Sequence, residues 1–175
     1  RKIAIVSATE IERFYHFTQK AQKEKPGVLK TQQEEVWKKE LKRAKKNSDY
    51  VIAYVHWGTE GKIHYGQDQT EIADLCVKAG ADAVIGGHPH RLQGVEFIKN
   101  VPVAYSVGNF WFSTGKLYTT IEQIQIDDSG SLKLRMIPCI QDSLTTSILT
   151  EKKQIKAFYH YLADISNHVG IDEDG

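Results

Sequence analysis

The chain has 175 residues, 41% of them hydrophobic and 26% charged, the composition of an ordinary globular protein with one sizeable core or part of a larger one. Lys and Arg (23) almost cancel Asp and Glu (22), so no global field draws the chain to nucleic acid or to an anionic membrane. No apolar run approaches the ~18 residues of a membrane-spanning helix, and no signal peptide is visible.

The chain opens at Arg1 without an initiator Met and runs at once into the β-branched stretch Ile3–Val6, a buried strand. It is therefore expected to be a piece of something longer. Residues 11–25 are aromatic early and charged late, and they stop at the breaker pair Pro26-Gly27. Thr31 followed by Glu34 reads as a capping box opening a helix from Gln32 to Lys46, with Val36, Trp37, Leu41 and Ala44 on its inner face. The lysines of this helix read as a solvated face. Tyr50–Val55 is an apolar strand ending at His56, and a helix from Asp68 to Ala79 follows, closed by Gly80. Ala81–Ile85 is a second apolar strand. This strand–helix–strand order predicts a parallel pair buried on both faces.

The pattern then becomes antiparallel. Gly94–Ile98 and Val101–Val107 are expected to pair through a tight turn at Lys99-Asn100. Ile121–Ile126 and Leu132–Ile137 form a second hairpin around Asp127–Gly130. Ile155, Phe158, Leu162 and Ile165 share one face of a closing helix from Glu151 to His168. Cys76 and Cys139 lack CxxC spacing, which excludes a zinc ribbon or a thioredoxin motif. They read as two buried thiols, with a disulfide as the alternative in an oxidising compartment.

In open α/β sheets, ligands gather beyond the carboxyl ends of the strands. Two such ends here carry histidine: His56-Trp57-Gly58, and Gly86-Gly87-His88-Pro89-His90. Neutral imidazole is the commonest metal-ligating side chain. Pro89 stiffens the H-x-H segment, and the two preceding glycines let the backbone turn sharply after its strand. His56, His88 and His90 are thus candidates to converge, although H-x-H spacing alone fits structural histidines as well. His64 is a further candidate pocket residue, Trp57 and Trp111 are expected to wall the pocket, and Trp37 to sit in the core. His16, His160 and His168 have no partner pattern and no assigned role. Neither a nucleophile elbow, a P-loop nor a G-x-G-x-x-G is present.

The motifs His56-Trp57-Gly58-Thr59-Glu60, Gln69, Ala79–His90, Gln93, Glu96 and Tyr105-Ser106-Val107-Gly108-Asn109-Phe110 resemble, in order and spacing, the CapA capsule-synthesis family of the calcineurin-like metallophosphatase group. The similarity is dense from Tyr50 to Ser113 and loose elsewhere. It implies that residues 1–175 are a single partial domain, the C-terminal half of a metallophosphatase-like α/β sandwich. A strand–helix–strand unit would lead into antiparallel hairpins and a terminal helix.

The resemblance further implies a divalent metal (Zn, Mn or Fe) on His56, His88 and His90, with Glu60 and Asn109 as catalytic or orienting groups. The family typically has histidine where Gly87 stands, so the loop departs from its pattern there. Nothing before Tyr50 resembles the early D-x-H, GD-x-x-D or GNH motifs of a two-metal site, so this chain would hold an incomplete site and be inactive alone. By the same route the whole protein would serve poly-γ-glutamate capsule synthesis or export, as a metal-dependent hydrolase. The alternative is a non-catalytic assembly component that binds the anionic polymer. Its partners would be that polymer and capsule-synthesis membrane proteins, at an extracytoplasmic, membrane-associated location. A face left by the missing half would favour homo-oligomers.

Overall fold

The computed structural model describes residues 1–11, 19–167 and 169–171; His16 and His168 lie outside the described residues. In chain order the elements are β1 (Ile3–Thr9), α1 (Glu34–Asn47), β2 (Tyr50–His56), α2 (Gln67–Lys78), β3 (Ala83–Gly87), β4 (Val95–Ile98), β5 (Val101–Ala104), β6 (Thr114–Ile126), β7 (Leu132–Ser143), β8 (Thr145–Ile148) and α3 (Lys152–Asp164). They form a mixed α/β fold with two sheets. The first has the order β1-β2-β3-β5-β4, parallel except for β4, and the second is an antiparallel β6-β7-β8 meander. No helix among the described residues is long and apolar enough to cross a membrane.

The parallel unit follows from its sequence pattern, with one correction. Side chains alternate across a strand, and Val51, Ala53 and Val55 are fully buried with Trp37 and Leu41 of α1 and Ala73 and Cys76 of α2. Register sets Ile3, Ile5 and Ser7 beside Tyr50, Ile52 and Tyr54 on the opposite face. There Ile3 and Ile5 are 50% and 68% exposed and Tyr54 is 42% exposed. The second face is therefore open at Ile3 and Ile5 of β1 and at Tyr54 of β2, whereas the consecutive residues Ala83 and Val84 of β3, which point to opposite faces, are both fully buried. Asp82 ties the layers together: its carboxylate accepts the Val51 N–H at 2.8 Å and an ion-paired hydrogen bond from Lys45 at 2.7 Å.

Helix α1 begins two residues later than expected, and the capping box does not form. The Gln33 N-cap makes no side-chain cap, and the buried Thr31 hydroxyl finds no partner among the described residues. Thr31 is instead bound by its backbone, donating its N–H to Thr9 O at 3.0 Å, which leaves it upstream of the helix. Val36 is 44% exposed, whereas Trp37 and Leu41 are fully buried. Gly80 closes α2 as expected, at φ +102° with its N–H on Val77 O.

Lys99 and Asn100 turn the β4–β5 hairpin with φ of 50° and 67°, the left-handed pair of a type I′ turn. The second hairpin is longer than the sequence indicated, and β8 adds a strand that the sequence did not announce. Helix α3 seats Phe158, Tyr159, Leu162 and Ile165 with Leu92, Met136 and Leu149 in a second core. Tyr159 fastens it by donating to Met136 O at 2.9 Å. The tip of the second hairpin reaches the first sheet, where Tyr50 Oη donates to Gly130 O at 2.9 Å. Cys76 and Cys139 are both buried and free, and burial pushes the Cys76 thiol up to about 12.

Candidate metal centre

The parallel register decides where the first two histidine loops meet. Thr9, His56 and Gly87 stand in one row across the carboxyl ends of β1, β2 and β3. The Trp57 N–H donates to Gly87 O at 3.0 Å, extending that row by one residue, and Gly61 N–H donates to Pro89 O at 2.7 Å. The loop after β2 is thereby bound along the loop after β3. His88 and His90 adopt left-handed backbone at φ 103° and 57°. This conformation is costly for side-chain-bearing residues and concentrates at functional sites.

The three imidazoles converge. The ring centroids of His56 and His88 are 4.6 Å apart, and those of His88 and His90 6.0 Å apart. His90 Nδ1 lies 2.7 Å from Asn109 Oδ1, and the His90 ring also lies against Phe112, with centroids 4.6 Å apart. Asn109 is 5% exposed, so its amide is a fixed acceptor. Partial burial of the His56 ring, and secondarily the charge of His90, holds His56 below the ordinary histidine range. A depressed pKa keeps the imidazole neutral near pH 7, the form that binds metal. The donor chemistry thus suits a divalent ion, although among the described residues no three His, Cys, Asp or Glu side chains are already set around one point as its ligands.

The other sequence candidates fall in different places. Glu60 sits on the exposed turn closed by Lys62 N–H on Thr59 O, beside the bond from Gly61 to Pro89. His64 is exposed, and its carbonyl accepts a hydrogen bond from Gln93 Nε2 at 3.3 Å. The two tryptophans expected at the pocket separate. Trp57 is fully buried in the core of the first sheet, donating Nε1–H to Tyr105 O at 2.8 Å, whereas Trp111 is 72% exposed.

Glu10 was not foreseen. Its N–H donates to His56 O at 2.8 Å, and its carboxylate accepts the Gly58 N–H at 2.9 Å. Burial raises its pKa, the Gly58 bond opposes that, and Asp68 adds to it. Only the β1–β2 register brings Glu10 to this loop, 46 positions away from His56 in sequence. Glycine use separates sharply between the neighbours Gly86 and Gly87. A Cβ on Gly86 would stand 2.1 Å from Tyr105 O and 2.2 Å from Trp57 Nε1, while on Gly87 it would meet only Tyr54 Oη at 3.5 Å.

The family model described as bacterial capsule synthesis protein PGA_cap matches residues 1–114, a span that contains His56, His88, His90 and Asn109. The PGA biosynthesis protein CapA of Bacillus subtilis (strain 168) is 30% identical over 159 residues, which cover 89% of this chain and 42% of that protein. The capsule biosynthesis protein CapA of Bacillus anthracis is 35% identical over 125 residues, covering 67% of this chain and 30% of that protein. The chain therefore spans less than half the length of either of these relatives. With the family match extending over most of its length, the chain belongs to the bacterial capsule synthesis protein family PGA_cap.

Proposed function

We propose that this chain contributes the histidine part of a divalent-metal cleft in a protein of capsule synthesis at the bacterial cell envelope. The observation that carries the reading is the convergence of His56, His88 and His90 beyond the carboxyl ends of β2 and β3, with His90 oriented by Asn109. The capsule roles for which the two Bacillus relatives are named support the reading. The polymer would be poly-γ-glutamate, handled outside the cytoplasm beside membrane proteins of the same process.

The residues then divide the work. His90 donates its Nδ1 proton to Asn109 and keeps Nε2 as a lone-pair donor; His56, held neutral, offers the same chemistry. His88 completes the donor set. A divalent ion, when bound, would supply the Lewis acidity that activates water toward a phosphoester or an amide of the polymer. Glu60, on the rim, would orient the substrate, and Asn109 acts through the His90 ring. The carboxylates that complete a two-metal site would come from the rest of a longer polypeptide, so this chain alone would bind metal and turn over little.

The test is calorimetric titration of the chain with Zn²⁺ and with Mn²⁺, against a His88→Ala/His90→Ala variant. Binding that the double variant abolishes upholds the cleft. Equal heats from both proteins would overturn it and leave the non-catalytic polymer-binding component as the better reading.

A further inference from the structure

The segment from Gly58 to Gly66 has no regular secondary structure, yet it carries Glu60 and His64 and must hold a fixed distance from His88 and His90 for the cleft to work. Its backbone groups are satisfied from one side by two glutamines buried to 1% and 0% exposure, Gln69 at the start of α2 and Gln93 after the H-x-H loop. The bonds run in one direction. Gly66 N–H donates to Gln69 Oε1 at 3.1 Å, and Gln69 Nε2 donates to Gln93 Oε1 at 2.9 Å. Gln93 Nε2 then donates to Lys62 O at 3.1 Å and His64 O at 3.3 Å, while its backbone N–H holds Ser106 O at 3.0 Å.

An amide is required at both positions, because each side chain accepts with its oxygen and donates with its nitrogen; a carboxylate or an alkyl group can do only one or neither. Burial raises the cost of breaking the chain, since a carbonyl left unpaired there has no water to turn to. The Gln69 amide also fills the place where a side chain on Gly58 would go: a Cβ there would stand 2.6 Å from Gln69 Cδ. The relay thus holds the loop by hydrogen bonds at its Gly66 end and at its middle, Lys62 and His64, and leaves no room for a side chain at Gly58, whose N–H is held by Glu10.

We propose that Gln69 and Gln93 are positioning residues that lock the Glu60- and His64-bearing loop to the His88-Pro89-His90 loop and so set the shape of the metal cleft. The proposal rests on the function proposed above for its metal consequence, but not for its mechanical one.

The experiment replaces each glutamine by methionine, which keeps length and removes both polar atoms, and compares Leu162→Ala in the second core as a control for general destabilisation. Two quantities are read: exchange of the Gly61 amide hydrogen, and affinity and visible absorption with Co²⁺. Gln93→Met is expected to speed Gly61 exchange and to weaken Co²⁺ binding by about tenfold each, with a changed spectrum, while Leu162→Ala lowers the melting temperature and leaves the spectrum unchanged. Gln69→Met is expected to move both in the same direction by less, and it serves if Gln93→Met does not fold. Gly61 exchange within about twofold of the unaltered protein in the folded variants would overturn the lock. If the unaltered protein binds no Co²⁺, the proposed metal cleft fails, while the exchange ratio still decides the relay.

Discussion

His90 Nδ1 lies 2.7 Å from the buried amide oxygen of Asn109, and since that oxygen can only accept, the pairing requires the proton on Nδ1 and leaves Nε2 with its lone pair. A side chain from the end of the β5 region thereby selects the tautomer of a side chain from the end of β3. Asn109→Leu removes the acceptor. The His90 ring is expected to lose its preference for the Nδ1–H tautomer, read from the ring-nitrogen NMR shifts. Ring-nitrogen shifts unchanged by the substitution would show that the pair does not form in solution.

The Gly86-Gly87 pair divides into a required and a replaceable glycine. Gly86→Ala drives a methyl into Tyr105 O and the Trp57 indole, both parts of the core, and is expected to cost about 3 kcal/mol or more. Gly87→Ala meets only Tyr54 Oη at ordinary contact distance and is expected to change stability by less than ~1 kcal/mol. Urea denaturation of the two variants compares them. Gly87 stands opposite His56 in the β2–β3 register with room for a Cβ, and Gly87→His is expected to tighten Zn²⁺ binding by supplying a further imidazole.

Glu122 on β6 stands opposite Met136 on β7, with both carboxylate oxygens buried and without a hydrogen-bond partner among the described residues. Burial pushes its pKa up to about 8 from 4.5. With the folded value above the unfolded one, its contribution is fully present below the ordinary carboxylate range. It is lost as pH rises toward about 8, at a slope of ~1.4 kcal/mol per pH unit. Glu122→Gln removes the ionisation. The variant is expected to gain a few kcal/mol relative to the unaltered protein at pH 8, and little at pH 4. A stability difference that stays flat between these pH values in urea melts would contradict a buried neutral Glu122.

The β4–β5 turn offers a test of local backbone. Lys99 has φ of 50°, a conformation that Asn adopts at lower cost than Lys. Lys99→Asn is expected to raise stability by about 0.5 kcal/mol, seen as a higher melting temperature. A lower melting temperature would mean that the lysine makes a compensating contact.

The sequence by itself determined the parallel unit, because β-branched runs, a glycine-closed helix and histidines at the strand ends each follow from local pattern. It determined the type I′ hairpin through Lys99-Asn100, and the inner face of α3 through the spacing of Phe158, Leu162 and Ile165. It also brought the three candidate ligands to one end of the sheet. Only the tertiary structure decided which face of β1 and β2 is covered, since apolar alternation is the same whether one layer or two pack against a strand. It placed Glu10 on the Gly58 N–H and Asn109 on His90, contacts between segments far apart in the chain that no local period encodes. It moved Trp57 into the core, because the indole N–H had an acceptor in Tyr105 O, and left Trp111 outside. The capping box failed for the same kind of reason: the backbone of Thr31 was already bound to β1, and a long-range pairing outweighed a local preference.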